Sequence, residues 1–142
     1  MRCTSTLALF TVLAIAACAV DSSAEATVVE AWGRPAGEGA NGAAYLTISN
    51  PDSVAVRLDS ISSTQAARSE LHETSLTNGI ARMTPLGGVD IPARGRLQME
   101  PGGAHVMLVE LKQSMNTGDS LPIMLYFSNG KTISSFVQVR SP

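Results

Sequence analysis

Two histidines and two methionines, at a defined spacing, are the residues of this chain best suited to metal chemistry. His72 is followed after ten residues by Met83, and after a further twenty-one by His105, with Met107 two positions later. Thioether sulfur is a soft ligand that favours Cu(I), and imidazole binds copper as well as zinc. The combination of the two ligand types therefore narrows the choice of metal to copper. The spacing therefore predicts a Cu(I) site made by these four side chains.

The N-terminal segment is typical of an export signal. Arg2 precedes an apolar run over residues 7–17, which is too short to span a bilayer as a permanent helix. Both cysteines, Cys3 and Cys18, lie in or directly after this segment. We therefore expect an exported protein whose folded domain has no free thiol and no disulfide.

Two cleavage sites compete within this leader. Residues 15–18, with the sequence IAAC, resemble a bacterial lipobox. On that interpretation residues 1–17 are the signal, Cys18 is lipidated, and residues 18–26 form a tether beside a membrane. The alternative is ordinary signal-peptidase cleavage after the small residues at 24–26. We favour the lipobox, and both interpretations predict a protein of the periplasm, held at a membrane by a lipid anchor at most.

The rest of the chain, residues 27–142, is predicted to be one domain, large enough to bury a core without disulfides or a structural metal. Ten Lys plus Arg stand against twelve Asp plus Glu, and the basic residues form no run. This balance argues against nucleic acid or an acidic membrane surface as the partner. We expect a monomer.

Short segments rich in β-branched and apolar residues alternate with turn signals throughout the domain, and no stretch has a convincing helical pattern. The predicted strands cover residues 28–32, 43–49, 54–62, 97–99, 104–111, 121–127 and 132–139. Long loops are predicted over residues 33–42 and 85–92. Strands at this spacing favour an all-β fold, an antiparallel β-sandwich.

A hairpin is predicted to carry the first two ligands. Asn78-Gly79 is a strong signal for a type I′ turn between strands at 71–77 and 80–86. Counting outward from that turn puts Met83 on a diagonal to His72 and on the same face of the hairpin, with Cβ atoms roughly 7 Å apart. A register slip of one residue would place the two side chains on opposite faces.

His105 and Met107 form the second predicted pair. They lie at positions i and i+2 of one strand, so they share a face, whereas Val106 and Leu108 point to the core. The sandwich then needs only to bring the two pairs together.

Other residue types near the motif have simpler interpretations. Met99 is more consistent with core or edge packing than with a thioether ligand. Trp32 and Tyr45 are expected to be structural, with shielding of the site as the alternative. Glu70 and Glu73 flank His72, but no second titratable group or nucleophile accompanies them at a catalytic spacing, so we do not expect an enzyme.

The motif resembles the copper-binding motif of the periplasmic copper chaperone family called PCuAC, which has the same spacing of His, Met, His and Met. Supporting segments match over nearly the whole domain, at residues 30–35, 42–46, 70–74, 83–85, 91–93 and 101–105. The resemblance implies a cupredoxin-like Greek-key β-sandwich and carries the ligands over to His72, Met83, His105 and Met107.

The resemblance also implies a function. Members of this family bind Cu(I) and are associated with supplying the binuclear copper centre of cytochrome c oxidase, often with a thioredoxin-like Sco assembly factor. Some members extend into a His- and Met-rich tail that binds Cu(II), whereas this chain stops at Pro142, so we expect one Cu(I) per chain. The alternatives are copper storage or detoxification, a zinc or Cu(II) scavenger, and an extracellular β-sandwich that binds no metal. Because imidazole must be deprotonated to bind, copper affinity should fall as pH drops through roughly 6.5.

Overall fold

The computed structural model describes residues 25–141, and its regular elements are all strands. The predicted signal and lipidation site lie outside the described residues. Along the described part of the chain, no helix has the length and apolar character needed to cross a membrane. The strands are β1 (Thr27–Gly33), β2 (Gly42–Asn50), β3 (Val56–Ser62), β4 (Ala66–Thr77), β5 (Ile80–Pro85), β6 (Val89–Ile91), β7 (Gly95–Gln98), β8 (Ala104–Leu111), β9 (Ser120–Phe127) and β10 (Thr132–Val139).

The strands form one hydrogen-bonded path in the order β5-β4-β8-β2-β1-β10-β9-β3-β6, with β7 paired to β2 off this path. Neighbours in the sheet are often distant in the chain, as where β2 lies between β8 and β1. Pairing is antiparallel throughout the described strands except between β1 and β10, which run parallel and join the two halves of the path. The predicted all-β, antiparallel fold is confirmed, except that the β1–β10 pair is parallel.

Both halves contribute to a single hydrophobic core. The strands contribute apolar side chains to this core at alternate positions, because every second side chain points to the same face of the sheet. On β8, Val106 and Leu108 are buried in this core, with Leu108 fully inaccessible. From the other half, Leu58, Leu125 and Val137 are equally inaccessible. The sandwich thus leaves the opposite face of β8 and its neighbours free for other chemistry.

The predicted strands are confirmed to within a few residues at their ends, but one predicted loop is wrong. Residues 85–92 contain β6, which pairs with β3 and buries Ile91 completely. Three residues are too short a run to show a period of two, and the flanking glycines and prolines indicated a turn. Residues 34–41 do form the predicted connection between β1 and β2.

The hairpin that joins β4 and β5 has the predicted register. Thr77 pairs with Ile80, and Thr74 pairs with Met83. Asn78 and Gly79 have φ angles of 53° and 78°, as both central residues of a type I′ turn require. Met83 therefore lies on the same face as His72, since Thr74 and His72 are two residues apart on β4.

Candidate metal centre

The two histidines face each other across neighbouring strands. His72 on β4 is the direct partner of His105 on β8. Their ring centroids are 6.0 Å apart, and the residues are only 8% and 4% exposed. Two imidazoles at this separation leave room for an ion between them, and pairing of β4 with β8 is what brings them together.

One nitrogen of the His105 ring is held by the backbone. Nδ1 lies 3.1 Å from the carbonyl oxygen of Gly103. A carbonyl can only accept a hydrogen bond, so Nδ1 carries the proton and donates it. The neutral ring then has its lone pair on Nε2, the nitrogen through which it can bind a metal.

The His72 ring is held in the same way but through its other nitrogen. Nε2 lies 2.9 Å from Oε2 of Glu70, and an ionised carboxylate can only accept, so Nε2 donates. The lone pair of the neutral ring is then on Nδ1. Among the described residues, this Nδ1 atom is buried and has no hydrogen-bond partner.

This arrangement fits a metal ion. A buried polar atom without a partner costs about 1–3 kcal/mol, and a bound cation would remove that cost. Histidines that ligate metals almost always donate their other ring N–H to a carboxylate or carbonyl, which fixes the orientation of the ring. Both histidines have such an anchor here, one through Glu70 and the other through Gly103.

Glu70 holds the ring of His72, a contact that the sequence did not predict. Its Oε1 accepts a hydrogen bond from Nε of Arg68 at 2.7 Å. This bond, together with a smaller contribution from His72, lowers the pKa of the Glu70 carboxyl, and the same contact raises the pKa of Arg68. Glu70 therefore stays ionised at neutral pH as the acceptor for His72. Glu70 lies two residues before His72 on the same strand, and this spacing alone indicates that the two side chains share a face.

The two methionines lie on the same face as the imidazoles. Met107 is half-buried on β8, opposite Glu70 on β4 and Ala43 on β2. Met83 on β5 is 57% exposed. Over residues 25–141 no group of three or more His, Cys, Asp or Glu is placed to hold a metal ion, and the imidazoles have thioethers as neighbours on this face. The structure thus gathers all four predicted residues on one side of the sheet.

Aromatic rings continue from the histidines across the sheet. Tyr45 on β2 has its ring centroid 6.3 Å from that of His105 and is 6% exposed. Trp32 on β1 follows at 4.6 Å from Tyr45, and the guanidinium of Arg140 lies 4.5 Å from the Trp32 ring centroid. Tyr45 therefore covers the site on the β2 side, which is the shielding position that the sequence left open.

Three other methionines and Glu73 lie outside the predicted ligand set. Met99 is 3% exposed and belongs to the core, as expected. Met115 is likewise buried in the core, whereas Met124 is half-buried on β9. Glu73 is exposed.

Comparison with known proteins identifies the family. The LpqE-like family model, whose description is of a lipoprotein, matches residues 26–139. A Leifsonia xyli protein named as a lipoprotein is 35% identical over 114 residues, which cover 80% of this chain and 68% of that protein. The chain belongs to the LpqE-like, or PCuAC, copper chaperone family. Members of the PCuAC family are chaperones and not enzymes.

An uncharacterised Rickettsia prowazekii protein is also similar to this PCuAC chain, with 33% identity over 116 residues that cover 75% of the chain and 62% of that protein. The chain thus spans about two thirds of the length of these curated relatives.

Solved structures of PCuAC domains have the same fold. The copper-bound PCuAC domain from PmoF2 superimposes with a TM-score of 0.70 at 20% identity, over 85% of this chain and 97% of that domain. The Cu(I) form of DR1885 from Deinococcus radiodurans gives a TM-score of 0.68 at 28% identity, over 86% of this chain and 83% of that protein. The PCuAC fold is therefore the fold of this chain.

Proposed function

We propose that this protein is an exported copper chaperone that binds one Cu(I) through His72, Met83, His105 and Met107. One observation carries the proposal. Two buried imidazoles face each other at 6.0 Å, and each has one N–H anchored to a protein oxygen and one lone pair free. The Cu(I) carried by the similar DR1885 protein supports copper as the metal.

The ligand set suits transfer of a metal. A blue-copper electron carrier needs a cysteine thiolate beside its two histidines, and residues 25–141 contain no cysteine. Two thioethers and two neutral imidazoles favour Cu(I) and bring no negative charge of their own. A thiolate-bearing acceptor can therefore take the ion from them, because thiolate is the stronger soft ligand for Cu(I).

The acceptor we propose is the binuclear copper centre of cytochrome c oxidase, reached directly or through an Sco-like assembly factor. Membership of the copper chaperone family supports delivery as the role. We further propose that the protein works in the periplasm with a lipid anchor at Cys18. The lipoprotein description of its family supports this location.

The test is an anaerobic Cu(I) titration of the exported protein against a competing chelator, with His72→Ala and His105→Ala beside Glu73→Ala as a matched control. We expect one Cu(I) per chain, lost in the histidine variants and kept in the control. At one hundred times its dissociation constant, a ligand stabilises the fold by about 2.7 kcal/mol, so Cu(I) should raise the melting temperature. Equal stabilisation by Zn(II), or binding that survives both histidine variants, would contradict the proposal.

A further inference from the structure

The four proposed ligands differ in how firmly the fold holds them. His72 and His105 are 8% and 4% exposed, and each ring is fixed by a hydrogen bond. Met107 is half-buried on β8, which pairs with β4 on one side and β2 on the other. Met83 is 57% exposed on β5.

The strand that carries Met83 is also the least supported. All six residues of β5 are exposed, and it lies at the end of the sheet path with β4 as its neighbour. A methionine side chain has three rotatable bonds and few contacts to lose in such a position. Moving Met83 off the metal therefore disturbs less structure than moving any of the other three ligands.

The surroundings of the site differ between its β2 side and its hairpin side. On the β2 side, Tyr45 lies beside His105 and is itself 6% exposed. On the hairpin side, Leu76 lies on the same face as Met83 and is 74% exposed. An incoming group thus meets an accessible apolar surface next to Met83 and a covered one next to His105.

We propose that the copper acceptor approaches over the exposed hairpin face formed by Leu76 and Met83, and that its thiolate displaces Met83 first. This rests on the proposed function. In the step, the bond from Cu(I) to the Met83 sulfur breaks as a bond from Cu(I) to the thiolate sulfur forms. Each sulfur supplies or retains its own electron pair, so the metal stays Cu(I) and no oxidant or reductant is needed. His72, His105 and Met107 hold the ion until a second acceptor ligand arrives.

The order of release is measurable by NMR of methionine methyl groups. The exported protein, labelled with carbon-13 at these methyls, is loaded with Cu(I) and titrated anaerobically with glutathione. We expect the Met83 methyl to return to its copper-free shift while the Met107 methyl keeps its copper-bound shift. Release of Met107 first, or of both together, would overturn the proposal. Methyls that never respond to Cu(I) would instead contradict the copper site itself, so the two failures are distinguishable.

A charged residue introduced on the hairpin face tests the side of approach, because it should change the rate at which a charged acceptor takes Cu(I). Leu76→Asp should slow Cu(I) transfer to glutathione, an anion, by roughly three- to tenfold at low ionic strength, and Leu76→Lys should accelerate it. Val54 is the matched control, because it is 67% exposed and its position is set by a hydrogen bond that its carbonyl oxygen accepts from Nδ2 of Asn50. Asn50 lies five residues along β2 from Tyr45, so it is about 17 Å from the residue whose ring covers His105.

Val54→Asp and Val54→Lys should leave both the transfer rate and the equilibrium affinity for Cu(I) within about twofold. Equal effects of charge at both positions, or no effect at Leu76, would place the approach elsewhere and overturn the proposal.

Discussion

The central strand β8 and the edge strand β5 contribute to the same site in opposite ways. β8 pairs on both sides, with β4 and β2, and alternates core residues with His105 and Met107. β5 pairs with β4, and each of its residues is exposed, including Met83. One face of a sheet can therefore keep two imidazoles in a rigid setting and still present a thioether that is accessible from outside.

The largest expected effect is on Cu(I) affinity, which should fall more for a substitution on β8 than for one on β5. His105→Ala should weaken Cu(I) binding by more than about 100-fold, beyond the range seen on removing an outer hydrogen-bond partner. Met83→Ala should weaken Cu(I) binding less, because the two anchored histidines and Met107 remain. Competition titration measures both. Equal losses would mean that the edge ligand is as essential as the central one, and the comparison would fail.

The free energy of unfolding should likewise fall more for a substitution on β8 than for one on β5. Leu108→Ala removes a fully buried side chain from β8 and should cost about 2–5 kcal/mol of unfolding free energy. Ile80→Thr on β5, which is 68% exposed, should stay within about 0.5 kcal/mol. Denaturant unfolding of both variants gives the two values. A cost at Ile80 similar to that at Leu108 would show that the hairpin is part of the cooperative core.

The anchor of His72 should have an intermediate effect. Glu70→Gln keeps the shape of the side chain but replaces the carboxylate that orients the ring, so Cu(I) affinity should fall by about 10–100-fold. Glu73→Gln, at an exposed position one residue after His72, is the control and should bind copper normally. If both variants bind alike, the ring of His72 needs no carboxylate to hold it.

The smallest expected effect concerns the turn. Asn78 has a φ of 53°, a left-handed conformation that costs most residues about 1–2 kcal/mol. Asn78→Ala should therefore destabilise the hairpin by about 1 kcal/mol and speed amide exchange along β5. Exchange along β8 should be unchanged, because its hydrogen bonds lie elsewhere. Equal acceleration in both strands would mean that they open together.

Much of the candidate site follows from local chemistry that the sequence carries. Asn78 and Gly79 set a type I′ turn, and that turn alone aligned Met83 with His72. Alternation placed His105 and Met107 on one strand face and Val106 in the core. The prediction failed at β6, where three residues between turn signals gave no periodicity.

The all-β class, the hairpin register and the two aligned pairs of side chains follow from the amino-acid sequence, since each depends on neighbours along the chain. Only the tertiary structure decided that His72 pairs with His105, that Glu70 holds one ring, and that Tyr45 covers the other. The physical reason is that pairing of β4 with β8 and of β2 with β8 joins distant segments. It depends on how the whole core packs, and no local pattern encodes it.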